Sequence, residues 1–118
     1  MVQMIRTKRI YEQPSMDDGY RVLVDRLWPR GMSKDQAKID LWLKEIAPSN
    51  DLRKWFSHDP EKWEDFKKKY RLELEKNREL LLRIKQIEKE KGIVTLLYSA
   101  KDEVHNQAVA LSSILRET

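Results

Sequence analysis

Apolar positions along this chain change their period several times, and each change marks an element. Residues 4–10 alternate apolar and polar side chains and include β-branched ones, which predicts a first strand. Val22, Leu23 and Val24 form a continuous apolar run inside residues 20–27, which predicts a second strand buried on both faces and reaching Leu27. Between them, Pro14, Ser15, Asp17, Asp18 and Gly19 predict a loop with one helical turn. That link is shorter than an ordinary parallel crossover, so the sequence leaves the relative direction of the two strands open.

Helical spacing takes over downstream. Ser33-Lys34-Asp35-Gln36 is a capping box, in which serine and glutamine side chains satisfy each other's backbone donors, and it predicts a short helix. Ile39, Leu41 and Leu43 alternate while Trp42 and Ile46 fit helical spacing; the alternation predicts a short strand ending before Pro48. Ser49 or Asn50 then caps a helix expected to turn Leu52, Trp55 and Phe56 toward a core. Asp59-Pro60 is a helix start, followed by Trp63, Phe66, Tyr70 and Leu74 on one face. Leu80, Leu81, Ile84 and Ile87 form the next apolar face, which stops at Lys91-Gly92. Residues 93–98 read as a compact buried strand, and Asp102 is expected to cap a last helix buried through Val104, Ala108, Leu111 and Leu115. Strands and helices alternate. The expected fold is a single small α/β sandwich over residues 1–118, with a mainly parallel, Rossmann-like sheet flanked by helices.

Composition narrows the functional classes. Of 118 residues, 40% are apolar and 37% charged, enough for one modest core under an ionic surface. No apolar run reaches membrane-spanning length, and Arg6, Lys8 and Arg9 interrupt any signal-peptide core, so a cytoplasmic location is expected. Without cysteine there are no disulfides, no thiolate catalysis and no cysteine-ligated metal. The net charge of +4 comes from interleaved signs: Lys67-Lys68-Lys69 is diluted by Glu61, Glu64, Asp65 and Glu73, which predicts weak or no nucleic-acid binding. Three glycines cannot build a phosphate-binding loop, and His58 and His105 lack metal-ligand spacing. Neither a metal nor a cofactor is expected, and the oligomeric state stays open.

Charged and aromatic residues crowd the second strand's exit, Asp25-Arg26-Leu27-Trp28-Pro29-Arg30-Gly31. In open α/β sheets ligands bind beyond the carboxyl ends of strands, and Tyr98-Ser99-Ala100-Lys101-Asp102 leaves a second such end. If the two strands are parallel neighbours, both exits open on one crevice. Arg26 and Arg30 carry planar forks that match carboxylate or phosphate oxygens. Trp28, Lys34, Tyr98, Lys101 and Asp102 complete the expected binding set, with the free N–H groups of the helix near Ser33 aimed at the same anion. Asp25, orienting an arginine, and His105, in the first turn of the last helix, are the candidate catalytic groups. His58 reads as part of the turn before Asp59-Pro60. The structural alternative has Asp25 paired with Arg26, Arg30 or Arg53 to fix a turn, Trp28 covering the sheet edge, and His105 serving the cap. On these readings the chain binds an anionic small molecule such as a nucleotide or phosphorylated metabolite; the other class is a nucleic-acid or protein interaction module without catalysis.

Several of these motifs also carry a family likeness. Arg9-Ile10-Tyr11, the run from Asp18-Gly19-Tyr20 to Trp28-Pro29-Arg30-Gly31, and Lys34 resemble the bacterial and archaeal YeaO-like family. Trp42-Leu43-Lys44-Glu45-Ile46-Ala47-Pro48-Ser49, Leu52-Arg53-Lys54-Trp55-Phe56, His58-Asp59-Pro60 and the run from Val94 to Asp102 with His105-Asn106 extend the likeness over nearly the whole chain. The resemblance implies a small α/β domain from a larger group of unknown function. Domains of that group often carry a cysteine and a glutamate after the last strand and a Cys-His-Arg run entering the helix. Tyr98, Ala100 and Asn106-Gln107-Ala108 stand at those positions here, so the resemblance implies that any site rests on other groups.

Overall fold

A computed structural model describes residues 3–118. Four strands, β1 (Met4–Arg9), β2 (Tyr20–Leu23), β3 (Leu41–Trp42) and β4 (Ile93–Tyr98), form one parallel sheet in the order β1-β4-β2-β3. Five α-helices complete the fold: α1 (Lys34–Ala37), α2 (Asn50–Phe56), α3 (Trp63–Lys76), α4 (Arg78–Lys91) and α5 (Gln107–Glu117). The chain is a small α/β sandwich, and among the described residues no helix is long and apolar enough to cross a membrane.

Strand register explains how so short a link joins two parallel strands. Arg9 lies opposite Tyr98, whereas Tyr20 lies opposite Val94. The link therefore descends only the length of β4 between Tyr98 and Val94, about 13 Å at strand rise. A short 3-10 turn (Met16–Asp18) and Gly19 complete the descent. Gly19 has φ of 63°, and a Cβ there would sit 2.3 Å from the Ile93 carbonyl oxygen.

The sheet buries two unequal faces. Val22, Val24, Leu96 and Tyr98 point into the larger core with Phe56, Phe66, Tyr70, Ile84 and Leu111 from the helices. Leu23 and Leu97 point the other way, against Ile10 and Ala37, under a cover of Trp28, Met32, Ile39 and Trp42. Pairing of β2 stops earlier than the apolar run predicts. Val24 still donates to the Leu97 carbonyl, but Leu27 is exposed, because β3 has two residues and offers nothing further to pair with. Trp55, expected in the core, is 37% exposed and stands between the ammonium groups of Lys62 and Lys69. Val104 is also exposed. The last helix begins later than expected: Asp102 captures the N–H groups of Val104 and His105 in a separate turn, and Asn106 caps α5 by accepting from Val109 N–H.

A buried ion cluster fastens the start of β2. Asp18 and Arg21 are nearly inaccessible and meet at 2.5 Å, with Lys8 of β1 at 3.0 Å. Arg21 also donates to the carbonyls of Ala37 and Lys38 at the end of α1, and Thr95 of β4 donates to the Asp18 carbonyl. Burial pushes the Asp18 carboxyl up, but donors from Ser15, Lys8 and Arg21 outweigh it and hold the group below its ordinary value. Its contribution to stability is thus complete above about pH 4 and is lost as pH falls through the lowered value.

Asp18→Asn is expected to cost about 3–5 kcal/mol in urea denaturation at neutral pH, since it strands the buried Arg21 and the half-buried Lys8, and to flatten the acid limb of the stability profile. Gly19→Ala is expected to cost more than about 2 kcal/mol in the same measurement, through the Ile93 clash and a left-handed backbone.

Candidate functional site

Parallel pairing of β2 with β4 puts both strand exits on one side, where they bracket a cleft of about 700 Å³. Residues 25–30 form one wall and 99–102 the other. Ala47 and Pro48 after β3, Arg53 and Phe56 of α2, Phe66 of α3, and Asn106 and Gln107 at the start of α5 close it, with Tyr11 and His58 at its edge.

Asp25 ties these walls together. Its carboxylate accepts from the Ser99 N–H at 2.9 Å on one oxygen and from the Gln107 carboxamide on the other. One side chain thereby joins the exits of β2 and β4 to the first turn of α5. Burial raises the Asp25 pKa, and the donors from Ser99 and Gln107 together with the charge of His58 only partly oppose this. Among the described residues Asp25 forms no ion pair, so it neither orients an arginine nor fixes the turn through one. Arg26 is instead turned to the carbonyls of Ala47 and Pro48 at 3.1–3.3 Å. A 3-10 turn (Lys44–Ile46) ends just before them, which leaves those carbonyls free to accept.

Two cations are left without side-chain partners among the described residues. Arg30 is exposed, and only its backbone carbonyl is engaged, by the Tyr11 hydroxyl at 2.9 Å. Lys101 is exposed on the opposite wall. Arg53 makes one long contact, 3.4 Å, to the Asn50 side chain on its own helix. Four cations thus line a cleft whose carboxylates are Asp25 and Asp102.

The remaining expected residues divide. Trp28 lines the cleft, its indole N–H held by the Met32 carbonyl and its ring edge-on to Trp42. Asp102 also lines it, with its carboxyl lowered to about 2 by the N–H groups of His105 and Val104 and by the His105 ring. Lys34, Tyr98 and His105 are not among the lining residues. Lys34 is exposed on α1, whose capping box is formed as expected, so the N–H groups of Ser33 and Gln36 are satisfied within the turn. Tyr98 is buried in the larger core. His105 precedes α5 rather than opening it; its ring is held by Asp102 at 2.9 Å and stands edge-on to Trp63.

His58 is the lining residue that sequence reasoning left in a turn. Ser57 and His58 are consecutive non-glycine residues with φ of 45° and 56°. A left-handed pair of this kind is strained, and such strain collects where a side chain must be aimed. The sequence carried no signal for it beyond the Asp59-Pro60 cap that follows. Gln107 was missed for another reason: its partner Asp25 is distant in sequence and reaches it only through the fold.

Fold and site together define a small parallel α/β domain with a cation-lined cleft at its strand ends. The chain belongs to the family described as the inactive DUF488-N3 subclade, whose signature matches residues 4–118. It is 43% identical over 112 residues to the uncharacterised protein YeaO of Escherichia coli, covering 95% of this chain and 96% of that one. It is 36% identical over 113 residues to the uncharacterised proteins Mb3100c of Mycobacterium bovis and Rv3073c of Mycobacterium tuberculosis, with 94% of this chain and 92% of theirs covered. No solved structure matches it.

His58→Gly is expected to leave the unfolding free energy unchanged or to raise it by up to about 1 kcal/mol, because release of left-handed strain outweighs the added unfolded-state entropy. Urea denaturation checks this: a loss of more than about 1 kcal/mol would show the imidazole to be a packing element.

Proposed function

We propose that this protein binds a small anionic molecule, a nucleotide or phosphorylated metabolite, in the cleft at the ends of β2 and β4. The observation that carries the proposal is the unneutralised charge: Arg30 and Lys101 face one cleft without partners, beside Arg26 and Arg53. Phe56, Phe66, Ala47 and Pro29 supply apolar walls that lower the local dielectric and strengthen attraction for an anion. A guanidinium fork is suited to phosphate or carboxylate oxygens. The family's description as an inactive subclade favours binding without turnover. On this reading Asp25 and Asp102 position the walls, while Trp28 stiffens the lip.

A nucleic-acid or protein interaction surface on α2 and α3 is less well supported. Trp55 does stand between two lysines there, but Lys62 donates to the Trp55 carbonyl and Lys67 pairs with Glu64, so these cations fasten the helices.

Thermal-shift measurements with inorganic phosphate, pyrophosphate and nucleotides at matched ionic strength test the proposal. Ligand-dependent stabilisation is expected. Arg30→Ala should weaken binding about tenfold or more, the loss of one charge-assisted hydrogen bond, while Lys34→Ala, outside the cleft, should not change it. Stabilisation no greater than that of matched chloride, or equal losses in the two variants, would sink the idea.

A further inference from the structure

The turn that holds His58 does not call for a histidine. Ser57 ends α2 by donating its N–H to the Arg53 carbonyl at 3.0 Å, and Asp59 donates to the Phe56 carbonyl at 2.9 Å. The backbone is thus pinned on both sides of His58, which is held at φ of 56°. Glycine, or an asparagine that bonds locally, takes such a left-handed position at least cost. This chain places an imidazole there instead, exposed at the edge of the cleft. A backbone outlier of this kind is kept where the side chain it carries is used.

The His58 ring is uncommitted. Of the chain's two histidines, the one whose ring is hydrogen-bonded among the described residues is His105, held by Asp102. The His58 ring instead lies beside Phe56, with ring centroids 6.3 Å apart, and forms no ion pair among the described residues. The charged groups lining the same cleft are Asp25, Arg26 and Arg30 from the exit of β2, Arg53 from α2, and Lys101 and Asp102 from the exit of β4. Asp59, next in the chain, is occupied with the Glu61 N–H. A neutral imidazole offers one N–H donor and an imidazolium two, and a nearby anion favours the charged form. Proton and anion would therefore assist each other's binding by the same factor.

We propose that His58 is a ligand-binding residue of the cleft: its imidazole donates to the bound anion and takes up a proton in doing so, which makes anion binding pH dependent. The inference rests on the anion-binding reading above and adds both a fifth group to the site and its regulation by pH. Asp25 is the competing proton acceptor, since an anion would favour its neutral form as well. It is buried, however, with its two oxygens turned to Ser99 and Gln107.

Sulfate separates these cases, because it does not titrate near neutrality, whereas phosphate esters do. Calorimetric titration of the full chain at constant ionic strength is expected to give a sulfate affinity that falls about tenfold between about pH 5 and pH 8, the range in which histidine loses its charge. His58→Asn keeps a side chain that tolerates the left-handed backbone but cannot take the proton; its affinity should be about tenfold weaker at the acid end and nearly flat across the range. Imidazole C–H resonances of the wild-type chain give a readout that needs no folded His58 variant, the two rings being told apart by His105→Gln. Sulfate should move the titration midpoint of His58 upward and leave that of His105 in place; phosphate serves for the same readout if sulfate binds too weakly to measure. A wild-type affinity independent of pH, a slope that survives intact in His58→Asn, or an unmoved His58 resonance overturns this inference while leaving anion binding in place. No binding of sulfate or phosphate at any pH overturns both.

Discussion

Strand order in this protein depends on the buried contact between Asp18 and Arg21. Asp18 takes Lys8 from β1 and Arg21 from β2, while its backbone carbonyl takes the Thr95 hydroxyl of β4. Two strands close in sequence and a third remote from them converge on one residue, and Arg21 carries the connection on to the end of α1. Breaking such a pair strands a buried charge, so the cluster specifies the arrangement more than it adds net stability. With β4 inserted between β1 and β2, the two strand exits that form the cleft become neighbours.

A second buried aspartate lies just past the other end of β2, and its electrostatics are reversed. Cations and donors hold the Asp18 carboxyl below its ordinary value, whereas burial without an ion pair raises that of Asp25. The linkage signs are therefore opposite. Asp18 contributes stability that is present above its ordinary value and lost as pH falls through the lowered one. Asp25 contributes stability that is present at low pH and lost as pH rises through the raised value. One acid is fitted to the folded chain alone. The other lines a cleft, where a carboxylate perturbed by burial is a candidate functional group.

Legibility in the sequence followed the range of the interaction. The capping box at Ser33 and the face of Trp63, Phe66, Tyr70 and Leu74 were readable because each residue's partner lies within about one helical turn. The parallel sheet was readable from alternating strands and helices, and the cleft from the charged exit at residues 25–30. Contacts that cross the fold were not. Nothing local shows that Arg26 turns to Ala47 and Pro48, that Asp25 meets Gln107 instead of an arginine, or that Ser57 and His58 adopt left-handed backbone. The cap of α5 was misplaced because Asp102 and Asn106 are both good N-cap residues, and only the fold decides which of them opens the helix.

Residues 106–108 decide what kind of cleft this becomes. A histidine or arginine at 107 would bring a cation or a titrating donor to Asp25, close an ion pair and use up its acceptor positions. This chain has Gln107, which donates one hydrogen bond to Asp25 without charge. Ala108 is fully buried against the sheet, so no long basic side chain reaches Asp25 from there. The cations stand on the other segments, at Arg26, Arg30, Arg53 and Lys101. The amide at the head of α5 thus ties Asp25 to the helix without bringing a charge of its own to that carboxylate.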